Sequence, residues 1–191
     1  MLYFSLKRVF DWTVGLFLLA LLIIPMFFIA VAVRVTSSGP VLYWSDRVGQ
    51  GNVIFKMPKF RTMRIDTPPV ATHLITNHEK FLTPIGKFLR RTSLDELPQF
   101  LSILKGEMSF VGPRPALFNQ DDLITFRTKN GVDQLLPGLT GWAQVNGRDE
   151  LTILEKVSLD IEYVEKQSFW FDLRILWLTF LKVINKDGVS H

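Results

Sequence analysis

Cysteine is missing from the 191 residues, which excludes disulfides and thiolate metal sites. Histidine occurs three times; His73 and His78 stand five apart, a spacing that does not align them on one helix face, so they read as loop histidines rather than metal ligands. There is no internal repeat, no low-complexity tract and no block of basic residues; the last absence argues against nucleic acid as a partner. No Asp-x-Asp pair is present, which counts against a phosphohydrolase with an aspartyl nucleophile. Most telling is the absence of charge from Trp12 to Val33, where Thr13 is the only polar side chain.

What remains is an apolar chain of single-domain size, with mean hydropathy +0.21 and 13% aromatic residues. The uncharged run reaches roughly 33 Å at about 1.5 Å per residue, enough for a hydrocarbon core of about 30 Å. A core helix of that length would need a polar face, and a cleaved signal peptide would be shorter and end in small residues. The run is therefore expected to reside in a membrane. Pro25 interrupts it, removing a backbone hydrogen bond at a cost of about 3 kcal/mol unless the helix bends. Basic residues flank both ends, Lys7 and Arg8 before it, then Arg34, Arg47, Lys56, Lys59 and Arg61. Neither end reads as translocated, so the sequence predicts a re-entrant helix–break–helix over residues 1–36, with both flanks at one anionic surface. Residues 37–191 are expected to form a single membrane-associated catalytic unit. Near the C-terminus, Phe169 to Ile184 is too short to span; Trp170 and Trp177 suit an interfacial helix, and an ordinary amphipathic core helix fits the same pattern.

Between these segments, Val41–Ser45 and Val53–Met57 flank a Gly49/Gly51 connection and predict a β-hairpin. Thr67–Lys80 reads as an irregular loop, and Pro84–Arg91 as a short basic helix. Ser93-Leu94-Asp95-Glu96 precedes a helical pattern with Leu97, Phe100, Leu101 and Leu104 on one face. One reading makes Ser93 an N-cap and Glu96 the closing member of a capping box. The other starts from Arg90 and Arg91: cations and a helix N-terminus lower a carboxylate pKa and form a phosphate site. An ionised Asp95 there can act as a nucleophile, and Glu96 can hold a magnesium ion. Pro113 and Pro115 clamp Arg114 in stiff backbone suited to bidentate phosphate binding. Pro137 to Arg148 reads as a glycine-punctuated loop with polar tips.

Four blocks in order carry a resemblance: Lys59-Phe60-Arg61-Thr62-Met63, Arg90 through Gln99, Gly106 through Pro115, and Pro137 through Arg148. Together they resemble the bacterial sugar transferase family, and within it the small monotopic phosphoglycosyl transferases. The resemblance implies an α+β, mainly helical fold with a re-entrant membrane helix, a small β-hairpin and interfacial helices around a cytosolic active site. It implies transfer of a sugar-1-phosphate from a UDP-sugar to polyprenol phosphate (undecaprenyl phosphate), at the cytoplasmic face of a bacterial inner membrane. Asp95 would be the nucleophile and Glu96 the ligand of Mg2+. Lys59, Arg90 and Arg114 are the candidates for phosphate contacts, Arg148 for the nucleotide, and Lys7 and Arg8 for lipid head groups. Membrane lipids are expected partners, and self-association is left open.

The sequence departs from the family pattern in having Ile24, not serine, before Pro25, and Ser45 where glutamine is frequent. It also lacks the extra membrane domain of larger relatives, so it is expected to be the catalytic core alone. Two other functions compete: a membrane phosphohydrolase, and a membrane-anchored module binding lipid or a partner protein, in which Asp95–Glu96 would be only a cap.

Overall fold

The computed structural model describes residues 2–67, 78–147 and 150–185; Arg148 and most of the 67–80 loop, His73 included, lie outside them. The uncharged run forms the core of α1 (Leu2–Thr36), one helical element with Pro25 inside it. The predicted helix–break–helix is thus not two helices divided by a gap. A proline removes one rung of the ladder and can bend a helix without ending it.

The helix has two apolar sides with different fates. Phe10, Val14, Leu18 and Leu22 recur every fourth residue and pack on the main core, and Met26, Ile29, Ala30 and Val33 continue the stripe onto a second cluster around Phe60 and Leu89. Such a stripe is what buries a helix against protein. Gly15 lets α1 lie close to its neighbour, since a Cβ there would stand 3.2 Å from Leu104. The opposite side, including Trp12, Phe17, Leu21, Ile24, Phe27 and Phe28, is exposed. Among the described residues α1 is the one helix long and apolar enough to cross a membrane.

Both ends of α1 are fastened to the same body. At its start, Lys7 Nζ meets Asp172 Oδ2 at 2.6 Å and donates to the Val111 carbonyl at 2.9 Å. Asp11 is buried and accepts from the Phe110 N–H at 3.1 Å. At the other end, Arg61 donates to the carbonyls of Ser37 and Ser38.

The hairpin forms as expected and is longer, with β1 (Leu42–Val48) antiparallel to β2 (Ile54–Phe60) and Leu42 opposite Phe60. The short basic helix is α2 (Gly86–Arg91). A 3-10 turn (Leu94–Gln99) then leads into α3 (Phe100–Lys105). The helical pattern expected from Ser93 therefore starts late: Pro98 has no N–H to give the Leu94 carbonyl, so regular α-helix begins beyond it. Next come β3 (Ser109–Val111), β4 (Ala116–Leu117), which pairs with the free edge of β1, and α4 (Asp121–Lys129).

The predicted glycine loop is more regular than expected. It folds as β5 (Gly138–Thr140), parallel to β3, followed by the helical turn α5 (Trp142–Val145). Its glycines serve backbone packing: a Cβ on Gly138 would fall 2.1 Å from the Gly112 nitrogen. α6 (Ile153–Lys166) carries a genuine capping box, Thr152 with Glu155. α7 (Phe169–Asn185) is one helix that packs on the core through the fully buried Ile175, while Trp170 and Trp177 are exposed.

One buried ion pair joins α4 to α6. Arg127 reaches Asp160 Oδ2 through Nε at 2.9 Å and Nη2 at 2.6 Å. Arg127→Met would leave a buried carboxylate unpaired, and is expected to lower stability by about 3–5 kcal/mol. Thermal unfolding of the detergent-solubilised chain checks this; a loss below about 1 kcal/mol would mean that packing alone holds α4 to α6.

Candidate active site

Ser93 adopts left-handed backbone (φ 55°) and makes no side-chain cap. The capping-box reading of Ser93 and Glu96 is therefore corrected: the Ser93 hydroxyl does not cap the turn, and the Glu96 carboxylate is engaged elsewhere. Closing α2 with a left-handed residue lets the 3-10 turn swing onto β2. That turn presents Asp95 and Glu96 side by side, with Asp95 only 8% exposed.

β2 brings the first cation. Lys59 Nζ lies 2.7 Å from Glu96 Oε1, and Arg114 Nη2 lies 3.7 Å from the same oxygen. Arg90, in the last turn of α2, donates to Thr62 Oγ1 at 2.9 Å and acts electrostatically on Asp95. The structure thus gathers Lys59, Arg90, Arg114, Asp95 and Glu96 into one cluster.

Sequence reasoning counted Arg47 only among the flanking basic residues, and it belongs to the cluster as well. Tyr43 opposite Lys59, Ser45 opposite Met57 and Arg47 opposite Phe55 share one face of the hairpin, so strand alternation from Lys59 was the signal available. Arg47 donates to Ser45 Oγ at 3.0 Å and to the Pro115 carbonyl at 3.1 Å. Arg127 holds the neighbouring Arg114 carbonyl at 2.8 Å. The stiff mount of Arg114 is therefore two prolines and two guanidinium clamps.

Burial dominates the electrostatics. It pushes the Asp95 carboxyl up to about 6, against the opposing pull of Lys59 and Arg90 and with a further push from Glu96. The expectation that the cations and the turn would depress this pKa is corrected: desolvation outweighs them. Burial also lowers Lys59, with Glu96 pulling it back, and brings Arg47 down to about 10, helped by Arg114. Four cations face two carboxylates here. A buried positive excess is costly without an anion, and a phosphoryl group is the anion that such a fork of guanidinium and ammonium groups fits.

The remaining candidates lie elsewhere. Lys7 is engaged by Asp172 and the Val111 carbonyl, and Arg8 donates to the Ile103 carbonyl at 3.0 Å. Pro25 lies within α1, and Arg148 is outside the described residues. No group of three His, Cys, Asp or Glu able to hold a metal occurs among the described residues. Asp95 and Glu96 fit a cation that takes its other ligands from phosphate oxygens and water, as Mg2+ commonly does. Beside the cluster opens a cavity of about 300 Å³, bordered by Glu96 and Arg114 and running to α7.

The chain is similar in sequence to several bacterial proteins. A sugar transferase of Bacillus subtilis (strain 168), EpsL, described as uncharacterized, is 40% identical over 186 residues, covering 97% of this chain and 91% of that protein. The UDP-glucose:undecaprenyl-phosphate glucose-1-phosphate transferase of Escherichia coli (strain K12) is 39% identical over 189 residues, 95% of this chain and 41% of that protein. The undecaprenyl-phosphate galactose phosphotransferase of Salmonella typhimurium is 35% identical over 202 residues, with 96% and 41% covered. The chain therefore spans nearly all of the first relative and about two fifths of the other two. The family model for bacterial sugar transferases matches residues 2–186, and the chain belongs to that family.

Proposed function

We propose that the chain transfers a sugar-1-phosphate from a nucleoside-diphosphate sugar, with UDP as the nucleotide, to undecaprenyl phosphate. The observation that carries this reading is Asp95, buried beside Glu96 among Lys59, Arg47, Arg90 and Arg114, in a chain whose relatives include named undecaprenyl-phosphate sugar phosphotransferases. An ionised Asp95 oxygen attacks the β-phosphorus, and the bond to the bridging oxygen breaks. The nucleoside monophosphate leaves with that oxygen, and the sugar phosphate stays on Asp95 as an acyl phosphate. An oxygen of the lipid phosphate then attacks the same phosphorus, giving polyprenyl-diphosphate sugar and freeing the carboxylate. Lys59, Arg90 and Arg114 hold the phosphate oxygens, and Arg47 and Arg127 fix the Arg114 mount. Glu96, next to Asp95, would hold Mg2+, which when bound offsets negative charge on the phosphates.

The membrane placement has its own support. One body clamps Lys7 at the start of α1 and Ser37 just beyond its end, as a helix that enters and leaves by one face requires. With Trp170 and Trp177 exposed on α7, this favours a monotopic protein with residues 37–191 on the cytoplasmic face.

Intact-protein mass spectrometry tests the chemistry. Wild type with magnesium and a panel of UDP-sugars, without lipid, is expected to gain one sugar phosphate. Lipid-dependent turnover with no adduct from any donor would mean direct transfer, and release of sugar phosphate to water without lipid would mean a hydrolase. The adduct rate should follow the ionised fraction of Asp95. With its pKa near 6, the rate is level above neutral pH and roughly tenfold lower at about pH 5. A rate that rises as pH falls through 6 would rule out the carboxylate as attacking group.

A further inference from the structure

The cavity of about 300 Å³ beside the charged cluster is not needed to explain attack by Asp95, and its chemistry differs from the cluster's. Leu97, Phe100, Phe110, Leu139, Leu176 and Val183 make its walls mainly apolar, and Glu96, Arg114, Glu150 and Lys182 are the charged side chains among them. We propose that this cavity receives the first isoprene units of the lipid acceptor, with the acceptor's phosphate at the Arg114 end and its chain leaving between β5 and α7. The inference rests on the transferase reading above and specifies where its second substrate lies.

Three observations point to a prenyl chain rather than a sugar or a nucleobase. Two of the wall's polar groups are used on one another, the Thr140 and Thr179 hydroxyls at 2.7 Å, and Thr179 also donates to the Ile175 carbonyl at 2.8 Å; the charged side chains of Glu150 and Lys182 share the lining. Gln144 gives its amide N–H to the Leu139 carbonyl, which leaves Oε1 as a buried acceptor with no partner in the described structure. A sugar presents several hydroxyls and needs several such partners, because each buried polar group must be paired. Continuity is the second observation. The far wall belongs to α7, where Val183 lines the cavity and is itself 65% exposed, next to the exposed Trp177 and Phe180. An acyl-like chain can pass from that apolar face along Leu176, Leu139 and Phe110 to the charged cluster, with Lys182 beside Val183. Charge is the third: Arg114 lines the cavity and also approaches Glu96, so a single phosphate can contact the cation and lie next to the reacting carboxylates while its tail is in apolar surroundings. The volume suits the head of a long lipid and leaves the rest of the chain in the bilayer.

The first test reads occupancy without turnover. Full-length protein in detergent is irradiated with farnesyl phosphate carrying a diazirine on its last isoprene unit, and labelled peptides are mapped. Labels within 176–183 and 139–145, competed by undecaprenyl phosphate, support the proposal; labels confined to the outer face of α1, or none, overturn it. Because this readout needs no catalysis, its failure is distinct from failure to form the sugar-phosphate adduct. The second test is a kinetic split in Val183→Trp, at the exposed mouth, and Leu176→Phe, deeper in. Each is expected to raise KM for undecaprenyl phosphate ~10-fold, while the adduct rate from the UDP-sugar stays within about twofold of wild type. An unchanged KM with a slowed adduct rate would assign the cavity to the donor and overturn the proposal.

Discussion

Asp95→Asn is expected to abolish the sugar-phosphate adduct and to lower lipid-dependent turnover by roughly 10⁴-fold or more, as removal of a covalent nucleophile does. The same variant is expected to be no less stable than wild type. Because burial holds the Asp95 pKa near 6, above its ordinary value, the fold favours the neutral carboxyl. Stability linked to this group is present when the carboxyl is protonated and is lost as pH rises through about 6. Asparagine imitates the neutral form at every pH, so a gain on the order of 1–3 kcal/mol at neutral pH is expected. Mass spectrometry reads the chemistry and thermal unfolding reads the fold, and together they separate nucleophile from scaffold. A folded Asp95→Asn protein that still forms the adduct would remove Asp95 from the mechanism. A variant that unfolds would show that the ionised carboxylate holds the cluster together.

Glu96→Gln has the second largest expected effect. Glu96 Oε1 stands 2.7 Å from Lys59 and 3.7 Å from Arg114, so it orients two of the proposed phosphate-binding cations and is the proposed magnesium ligand. A neutral amide is a poor Mg2+ ligand and leaves the positive cluster without half of its carboxylate charge. Turnover is expected to fall roughly 10²–10³-fold, the scale for losing one preorganised electrostatic contact, and the magnesium concentration for half-maximal rate should rise. Near-normal turnover across a magnesium titration would refute the metal assignment. A lower rate with an unchanged magnesium dependence would leave Glu96 the task of holding Lys59 and Arg114.

What could be read ahead of the structure follows the reach of each interaction. The hairpin, α2 and the adjacent Asp95–Glu96 are carried by near neighbours, and their patterns are visible in short windows. The start of α3 is equally local, but the hydrophobic spacing from Leu97 to Leu104 hides the effect of Pro98, which delays the helix by several residues. Arg47 was within reach, because strand alternation from Lys59 places it on the same face. The Arg127–Asp160 pair and the clasp of Lys7 on Asp172 join residues far apart in the chain, and no periodicity encodes such meetings. The Asp95 pKa was misjudged for a related reason. Neighbouring charges are written in the sequence, whereas burial is a property of the assembled body, and burial sets the sign here.

The clasp at the start of α1 also bears on how the protein is made. Lys7 and Asp172 are 165 residues apart, so at roughly 5–20 residues per second the ribosome needs about 8–33 s between them. For that interval the Val111 carbonyl and the Phe110 N–H can already meet Lys7 and Asp11, but the carboxylate that neutralises Lys7 is missing. The opposite end is provided for sooner, since Phe60, Arg61 and Leu89 are synthesised well before α7. Assembly therefore proceeds from the downstream end of the first helix back toward its start, and the earliest segment to emerge is the last to be fastened. Chains halted before Asp172 should carry that helix with Lys7 lacking its carboxylate partner, a natural mark for quality-control proteases.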